Sequence, residues 1–386
     1  MVSVILRKPK SHWISDKMCK ELKKVSMKRF LLVVLSIALL SCSQNDQPVS
    51  SLEPIGGSFY EWKMITSWPK NLPALGTSPE YFAEIVETMS NGRMKIRVYG
   101  ANELVGGLEV FDAVSQGVAE IGHSGAYYWQ GKIPGTPFFS SIPFGMTSYE
   151  QDAWLRYGGG NELWRELYEP FNLIPVRGGN SGVQMFGWFN KEINSLEDLQ
   201  GLTMRIPSLG GEVFRRAGGV PVTMQVSEVF TALQTGALDA TEFVSPYNDL
   251  AAGYHTVAEY YYYPGWHEPG TCLEAFINLK YWNLLSNDLK RLVEACCIKS
   301  NSLIASEFFA RNSFAIKKLK DDYNVDFVKY PDDLLKSLRK KSFEVVSDYA
   351  RKDEMGKKIF DNIMKFRKLY MFWSEYSEKS FLESRI

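Results

Sequence analysis

From residue 59 onward the apolar positions switch repeatedly between a period of two and a period near 3.6. Phe59–Thr66 alternates and predicts a strand. Ser78-Pro79-Glu80 then predicts a capped helix start, with Tyr81, Phe82, Ile85, Val86 and Met89 on one side and a stop at Asn91-Gly92. Met94–Tyr99 predicts a second strand, 108–116 a helix and Ala119–His123 a third strand. Strand, helix, strand, helix, strand is the pattern of an open α/β sheet. It recurs: Glu109–Val114 leads through Gly117 to Ala119-Glu120-Ile121, as Glu228–Leu233 leads through Gly236 to Leu238-Asp239-Ala240. Two lobes of similar design are what a hinged binding protein needs. Asn194-Ser195-Leu196-Glu197-Asp198 predicts a short capped helix in the second lobe. From about residue 286 the chain reads as mostly helical. Met355, Ile359, Ile363, Phe366, Tyr370 and Trp373 form a near-heptad stripe on one long helix, within a helical extension of about 340–380. That stripe either lies back over its own lobes or pairs with a second copy. Residues 59–386 are therefore expected to form one two-lobed α/β body with a hinge and a long C-terminal helix.

The N-terminal pattern is different. Met27-Lys28-Arg29 precedes the apolar run Phe30 to Leu40, and Leu39-Leu40-Ser41-Cys42 reads as a lipobox. A run of about eleven apolar residues is too short for the roughly 20 that span a bilayer. Residues 1–41 are expected to be an export signal whose real start is Met27, with Cys42 lipidated and 42–58 a polar tether. This places the body in the periplasm or cell envelope, anchored at a membrane surface. The 44 basic and 44 acidic residues are unevenly spread. Removing the basic signal leaves the mature chain mildly acidic, which gives no reason to expect nucleic acid as a partner. The remaining cysteines, Cys272, Cys296 and Cys297, show no metal spacing and are expected as buried thiols.

Candidate chemistry concentrates in 180–268. Arg205 closes the run Leu202–Ile206 and is followed by Pro207; Glu242 closes Ala237–Phe243; Glu268 lies in Pro264-Gly265-Trp266-His267-Glu268-Pro269-Gly270. Charged groups at strand ends beside Gly and Pro belong to clefts. Arg205 is a fork for a carboxylate, aided by the helix start that Gly210-Gly211 implies. Two acids beside it overload the site with negative charge unless a cation joins them. A small carboxylate bound with a metal ion follows. No Gly-x-Ser-x-Gly elbow, Gly-x-x-x-x-Gly-Lys loop or His-Glu-x-x-His pair is present, and Gly158-Gly159-Gly160 lacks a fingerprint spacing. Catalysis is not expected. His123, His255 and His267 share no ligand spacing, and His123 reads as a satisfied buried histidine.

Over about 59–380 the chain resembles the solute receptors of TRAP transporters, and most nearly the subgroup that binds 2-oxo acids or lactate with a metal ion. The resemblance rests on Gly122–Lys132, on Leu202–Gly211 with Arg205, on Glu242-Phe243-Val244-Ser245-Pro246-Tyr247, and on Tyr262–Gly270. It implies that Arg205 clamps the substrate carboxylate, helped by Asn180 and by Tyr127 or Tyr128. It also implies that Gln184, Glu242 and the backbone oxygen of Phe243 hold Na⁺ or Ca²⁺ together with the ligand, with Glu268 beside or on the ion. Gln184 and Phe243 then belong to the substrate wall as well. Two positions depart from the family pattern: Phe243 and His267 both stand where Trp is expected. The implied partners are separate membrane permease subunits and, through the C-terminal helix, a second copy of the chain. The other reading of the same fold is a ligand-binding sensory lipoprotein without transport.

Overall fold

The computed structural model describes residues 58–385. The expected signal, Cys42 and almost all of the tether lie outside the described residues. Two mixed sheets form the body. The first has the order β2-β1-β3-β10-β4, and the second β11-β9-β5-β8-β6-β7. In the first sheet β1 (Tyr60–Thr66) runs parallel to β2 (Met94–Tyr99) and β3 (Ile121–Gly125). β10 (Cys272–Asn278) lies antiparallel between β3 and β4 (Leu173–Asn180) and is buried along its whole length. The second sheet contains β5 (Gly187–Phe189), β6 (Thr203–Arg205), β7 (Val220–Val222), β8 (Ala240–Thr241), β9 (Tyr260–Tyr263) and β11 (Asp326–Lys329).

The repeated pattern read in the sequence is real in space. Helix Val110–Ser115 ends through Gly117 and feeds β3; helix Val226–Gln234 ends through Gly236 and feeds β8. Both glycines stand in the left-handed region, φ 80° and 76°, where a side chain is disfavoured. Both strands sit inside their sheets, and residues that follow them, Tyr127 and Tyr128 after β3 and Phe243 after β8, line one pocket. This matches the rule that open α/β sheets bind ligands beyond the carboxyl ends of their strands.

The chain crosses between sheets three times: from β4 to β5, from β9 to β10, and along helix Asn287–Asp321. That 35-residue helix packs on β4 and on helix Ser78–Met89 in the first lobe, and on helix Pro246–Ala252 in the second. The first two crossings bond to each other: Ser181 N–H donates to Thr271 O at 3.0 Å and Gly265 N–H to Gln184 O at 2.9 Å. The floor of the cleft is therefore a pair of linked hinge segments.

Two expectations need correcting in detail. Helix Ser78–Met89 has Thr77, not Ser78, before it, and no side chain caps it; the Ser78 hydroxyl turns back to donate to Leu75 O at 3.3 Å. Tyr81 and Met89 are exposed rather than buried, because the helix buries Phe82, Ala83 and Val86. The helical extension of 340–380 is made of two helices and includes the expected long C-terminal helix. Helix Asp332–Ala350 ends, and Asp353 caps a new helix, Glu354–Ser374, by accepting from Gly356 N–H at 2.6 Å. The stripe on that helix divides between its two readings. Ile359 and Ile363 are buried on the chain's own first lobe, where Trp154 Nε1–H donates to Asn362 Oδ1 at 2.7 Å. Trp373 is 62% exposed, beside the exposed Leu369, Phe372, Tyr376 and Phe381. Cys272, Cys296 and Cys297 are buried free thiols.

Glu274 is buried beneath the turn Ala126–Trp129 that follows β3, and Asp249, in helix Pro246–Ala252, is buried in the second lobe. Glu274 accepts from Trp129 Nε1–H and Tyr168 O–H, both at 2.6 Å. Asp249 accepts from Trp188 Nε1–H at 3.0 Å, Tyr261 O–H at 2.7 Å and Val244 N–H at 3.3 Å. Burial pushes both carboxyls up to about 7 despite these donors. Glu274→Leu strands two buried donors and is expected to lower unfolding stability by about 2–4 kcal/mol. Urea denaturation would measure it, with Glu274→Gln recovering part of the loss. Equal stability of Glu274→Leu and the parent would mean that this network is not what fixes the turn.

Candidate binding and cation site

Arg205 ends β6 and is 2% exposed. Its Nη1 donates to the Glu242 carboxylate and, at 3.2 Å, to the Glu242 backbone oxygen; its Nη2 donates to the Tyr128 hydroxyl at 3.2 Å. Arg205 Nε is buried with no partner among the described residues. Glu242 follows β8 immediately and is fully buried. Its second oxygen lies 3.2 Å from His267 Nε2. Glu268, from the second crossing, accepts from Thr271 O–H and from Gln184 Nε2–H at 2.8 Å. Gln184 comes from the first crossing, and its Oε1 is buried without a donor. The ligating atoms of Glu242, His267 and Glu268 all lie within 4.8 Å of one another. Side chains separated by more than eighty residues thus converge because two hinge segments and two strand ends meet at one point.

Trp68, Tyr127, Tyr128, Gln184, Arg205 and Phe243 line the adjoining cleft. Tyr127 packs edge-on against Tyr128 at 4.6 Å, and the Phe243 ring meets Tyr254 at 5.8 Å. Asn180 ends β4 but is already occupied. Its Nδ2 donates to Gln151 Oε1 and its Oδ1 accepts from Gly182 N–H, both at 2.9 Å. It braces the first crossing through Gly182.

Electrostatics follow from burial. Glu242 is pushed up to about 7 by desolvation, partly offset by Arg205. Glu268 is pushed up to about 7 by desolvation and by the neighbouring Glu242. Desolvation lowers His267 to about 4, so its ring is neutral at physiological pH. With Nε2–H donating to Glu242, Nδ1 is left as a buried lone pair without a partner. Two carboxylates against one guanidinium, with an orphaned amide oxygen beside them, leave the site short of positive charge. That donor set, hard and oxygen-rich, fits Na⁺ or Ca²⁺.

Of the residues singled out in sequence, Arg205, Glu242, Glu268, Gln184, Tyr127, Tyr128 and Phe243 come together and Asn180 stands behind them. His267, which stands where Trp is expected, lies beside Glu242, with its Nε2 3.2 Å from the carboxylate. Thr271, Ser181 and Trp68 were missed. Thr271 follows the Pro269-Gly270 turn, which is a local sign of a site. Ser181 and Trp68 carry no such sign. His123 is the satisfied histidine expected: Trp68 Nε1–H donates to its Nδ1 at 3.0 Å, and its Nε2 lies 3.2 Å from Gly178 O.

The model of the bacterial extracellular solute-binding protein family 7, DctP, matches residues 64–353. The chain belongs to this family. It is 38% identical over 350 residues to a monocarboxylate 2-oxoacid-binding periplasmic protein of Nostoc sp., covering 91% of this chain and 95% of that one. A TRAP periplasmic solute-binding protein of Pseudoalteromonas atlantica, solved with bound sodium and pyruvate, superposes with a TM-score of 0.83 at 38% identity. That match covers 85% of this chain and 100% of that one. A TRAP transporter solute-binding protein of Bordetella bronchiseptica, a mixed-occupancy dimer with calcium and picolinate in its occupied site, gives a TM-score of 0.83 at 32% identity. It covers 85% and 97% of the two chains. The chain is thus a periplasmic solute receptor of the TRAP type, with the two-lobed fold of that group, and not an enzyme.

Proposed function

We propose that this receptor binds a small 2-oxo monocarboxylate of pyruvate size together with Na⁺ or Ca²⁺, and delivers it to membrane permease subunits. The observation that carries the reading is the meeting of Arg205 with two buried acids and the donor-less Gln184 Oε1. Arg205 would take the substrate carboxylate, with Tyr128 O–H, and Tyr127 beside it, closing the same end. Gln184, Glu242, the Phe243 backbone oxygen and Glu268 would hold the cation. When bound, the ion supplies the positive charge that two desolvated carboxylates and an anionic ligand otherwise lack. Asn180 acts by holding the crossing that carries Gln184. Phe243 and Trp68 form an apolar wall that limits ligand length. Because the site draws on both lobes and both crossings, ligand and cation together favour the closed arrangement.

We further infer a lipid anchor at Cys42, which keeps the receptor at the membrane surface, and pairing of two copies through the exposed end of the C-terminal helix. The dimer solved for the Bordetella relative supports the latter. The test is thermal unfolding with pyruvate, lactate and longer 2-oxo acids, with and without Na⁺ or Ca²⁺. A ligand at 100 times its Kd adds about 2.7 kcal/mol of stability. A shift that needs both acid and cation is the expected result. No shift with any acid in either ion would dismiss the reading.

A further inference from the structure

A second cavity, of about 430 Å³, lies away from the cleft and shares none of its lining residues. Two helices and the loop 142–146 enclose it. Lys336, Arg339, Lys340 and Phe343 are spaced i, i+3, i+4, i+7 on helix Asp332–Ala350, and Phe360, Ile363, Met364 and Arg367 repeat that spacing on helix Glu354–Ser374. Each helix therefore turns one whole face toward the cavity. The walls are apolar; the polar side chains along them are Ser342 and four cations, and no acid is present. Lys336 pairs with Asp333, whereas Arg339 and Lys340 form no ion pair among the described residues. Arg367 Nη2 donates to Phe144 O at 3.2 Å, while its Nε is buried without an acceptor. An apolar cavity of this size with a few convergent charged groups is the general form of a small-molecule site.

We propose that this cavity binds an amphipathic organic monoanion, a carboxylate with an aliphatic or aromatic body too large for the cleft. Its apolar body would lie along Phe360, Ile363 and Val346, and its carboxylate would meet Arg339, Lys340 and the free Nε of Arg367. A chain of contacts leads from this cavity to the segment that carries His267 and Glu268. The guanidinium of Arg339 stands 5.3 Å from the Phe144 ring centre. Phe144 in turn stacks on Trp266 at 5.7 Å, and its N–H donates to Trp266 O at 2.7 Å. Trp266 immediately precedes His267 and Glu268.

Decanoate, kept below its micelle concentration, is the probe, titrated by calorimetry into the purified receptor. One saturable site is expected, unchanged by Arg205→Ala, which disables the cleft. The double variant Arg339→Glu/Lys340→Glu should weaken it about tenfold or more, since both charges reverse. Met364→Trp should weaken it as well by filling the cavity, without a change of charge. Absence of saturable binding, loss of binding in Arg205→Ala, or full binding in the double variant would each overturn the proposal. So would a dimer, detected by light scattering, that excludes decanoate until the chain is cut after Lys368. That outcome would give the groove to the C-terminal helix of a second copy.

Discussion

Arg205→Ala is expected to abolish ligand binding at any concentration a receptor would meet. The guanidinium is 2% exposed and is the cation that meets Glu242, whose carboxylate is wholly buried. The substrate carboxylate loses its charge-assisted partner, and truncating one side of a buried charge pair between a protein and its ligand costs about 3–5 kcal/mol of binding. In affinity that is a loss of roughly two to three and a half orders of magnitude. Arg205→Lys should recover little, because an ammonium cannot reach the Glu242 carboxylate, its backbone oxygen and the Tyr128 hydroxyl at once. Calorimetric titration of pyruvate with Ca²⁺ present would measure both variants. Binding by Arg205→Ala within threefold of the parent would remove Arg205 from the site. Denaturation of the variant without ligand separates this from misfolding: Glu242 takes up a proton when its partner is lost, so the chain should still fold near pH 6.

How far this was legible in sequence depends on what each residue's neighbours in the chain reveal. Arg205 and Glu242 close short apolar runs, and strand ends next to Pro or Phe are visible without a structure. The repeated helix, glycine and strand was visible too, because Gly117 and Gly236 are needed in the left-handed region for a backbone reason. His267 shows the other case. Its role is set by a contact to Glu242, 25 residues away, and no spacing rule links the two. Asn180 enters as a ligand contact only through the family resemblance; its bond to Gln151, 29 residues upstream, has no sign in the sequence. The turn at 351–353 separates the two C-terminal helices just before the stripe that starts at Met355. What decided the break was a cap by Asp353, a local hydrogen bond that competes with helix continuation. Local backbone chemistry and strand ends are thus readable from the chain, whereas partners that meet only through tertiary contact are not.

The affinity for the cation is expected to rise steeply between about pH 6 and pH 8. Glu242 and Glu268 are each pushed up to about 7, chiefly by burial. Both must be deprotonated to hold an ion, so protons compete with the cation below that range. Each competing carboxyl costs up to about tenfold in apparent affinity per pH unit. The stability of the ligand-free chain should move in the opposite direction. A carboxyl whose folded value lies above its usual 4.5 binds its proton more tightly in the native state than in the unfolded one. The native state therefore holds more protons between pH 4.5 and about 7, so stability falls as pH rises through that window and levels off above it. Asp249 and Glu274, also near 7, add to this fall with the same sign, but they bind no cation. Ca²⁺ should accordingly restore only part of the stability lost on going from pH 5 to pH 8. Calorimetry in two buffers of different ionisation enthalpy counts the protons released on Ca²⁺ binding. At pH 6.5 a release of between one and two protons is expected from the parent, and fewer from Glu268→Gln. An affinity for Ca²⁺ that is flat from pH 6 to pH 8, with no proton release, would show that these acids are not the ion's ligands. The surplus negative charge beside Arg205 would then need another explanation, because two desolvated carboxylates do not stay ionised together without a cation to share.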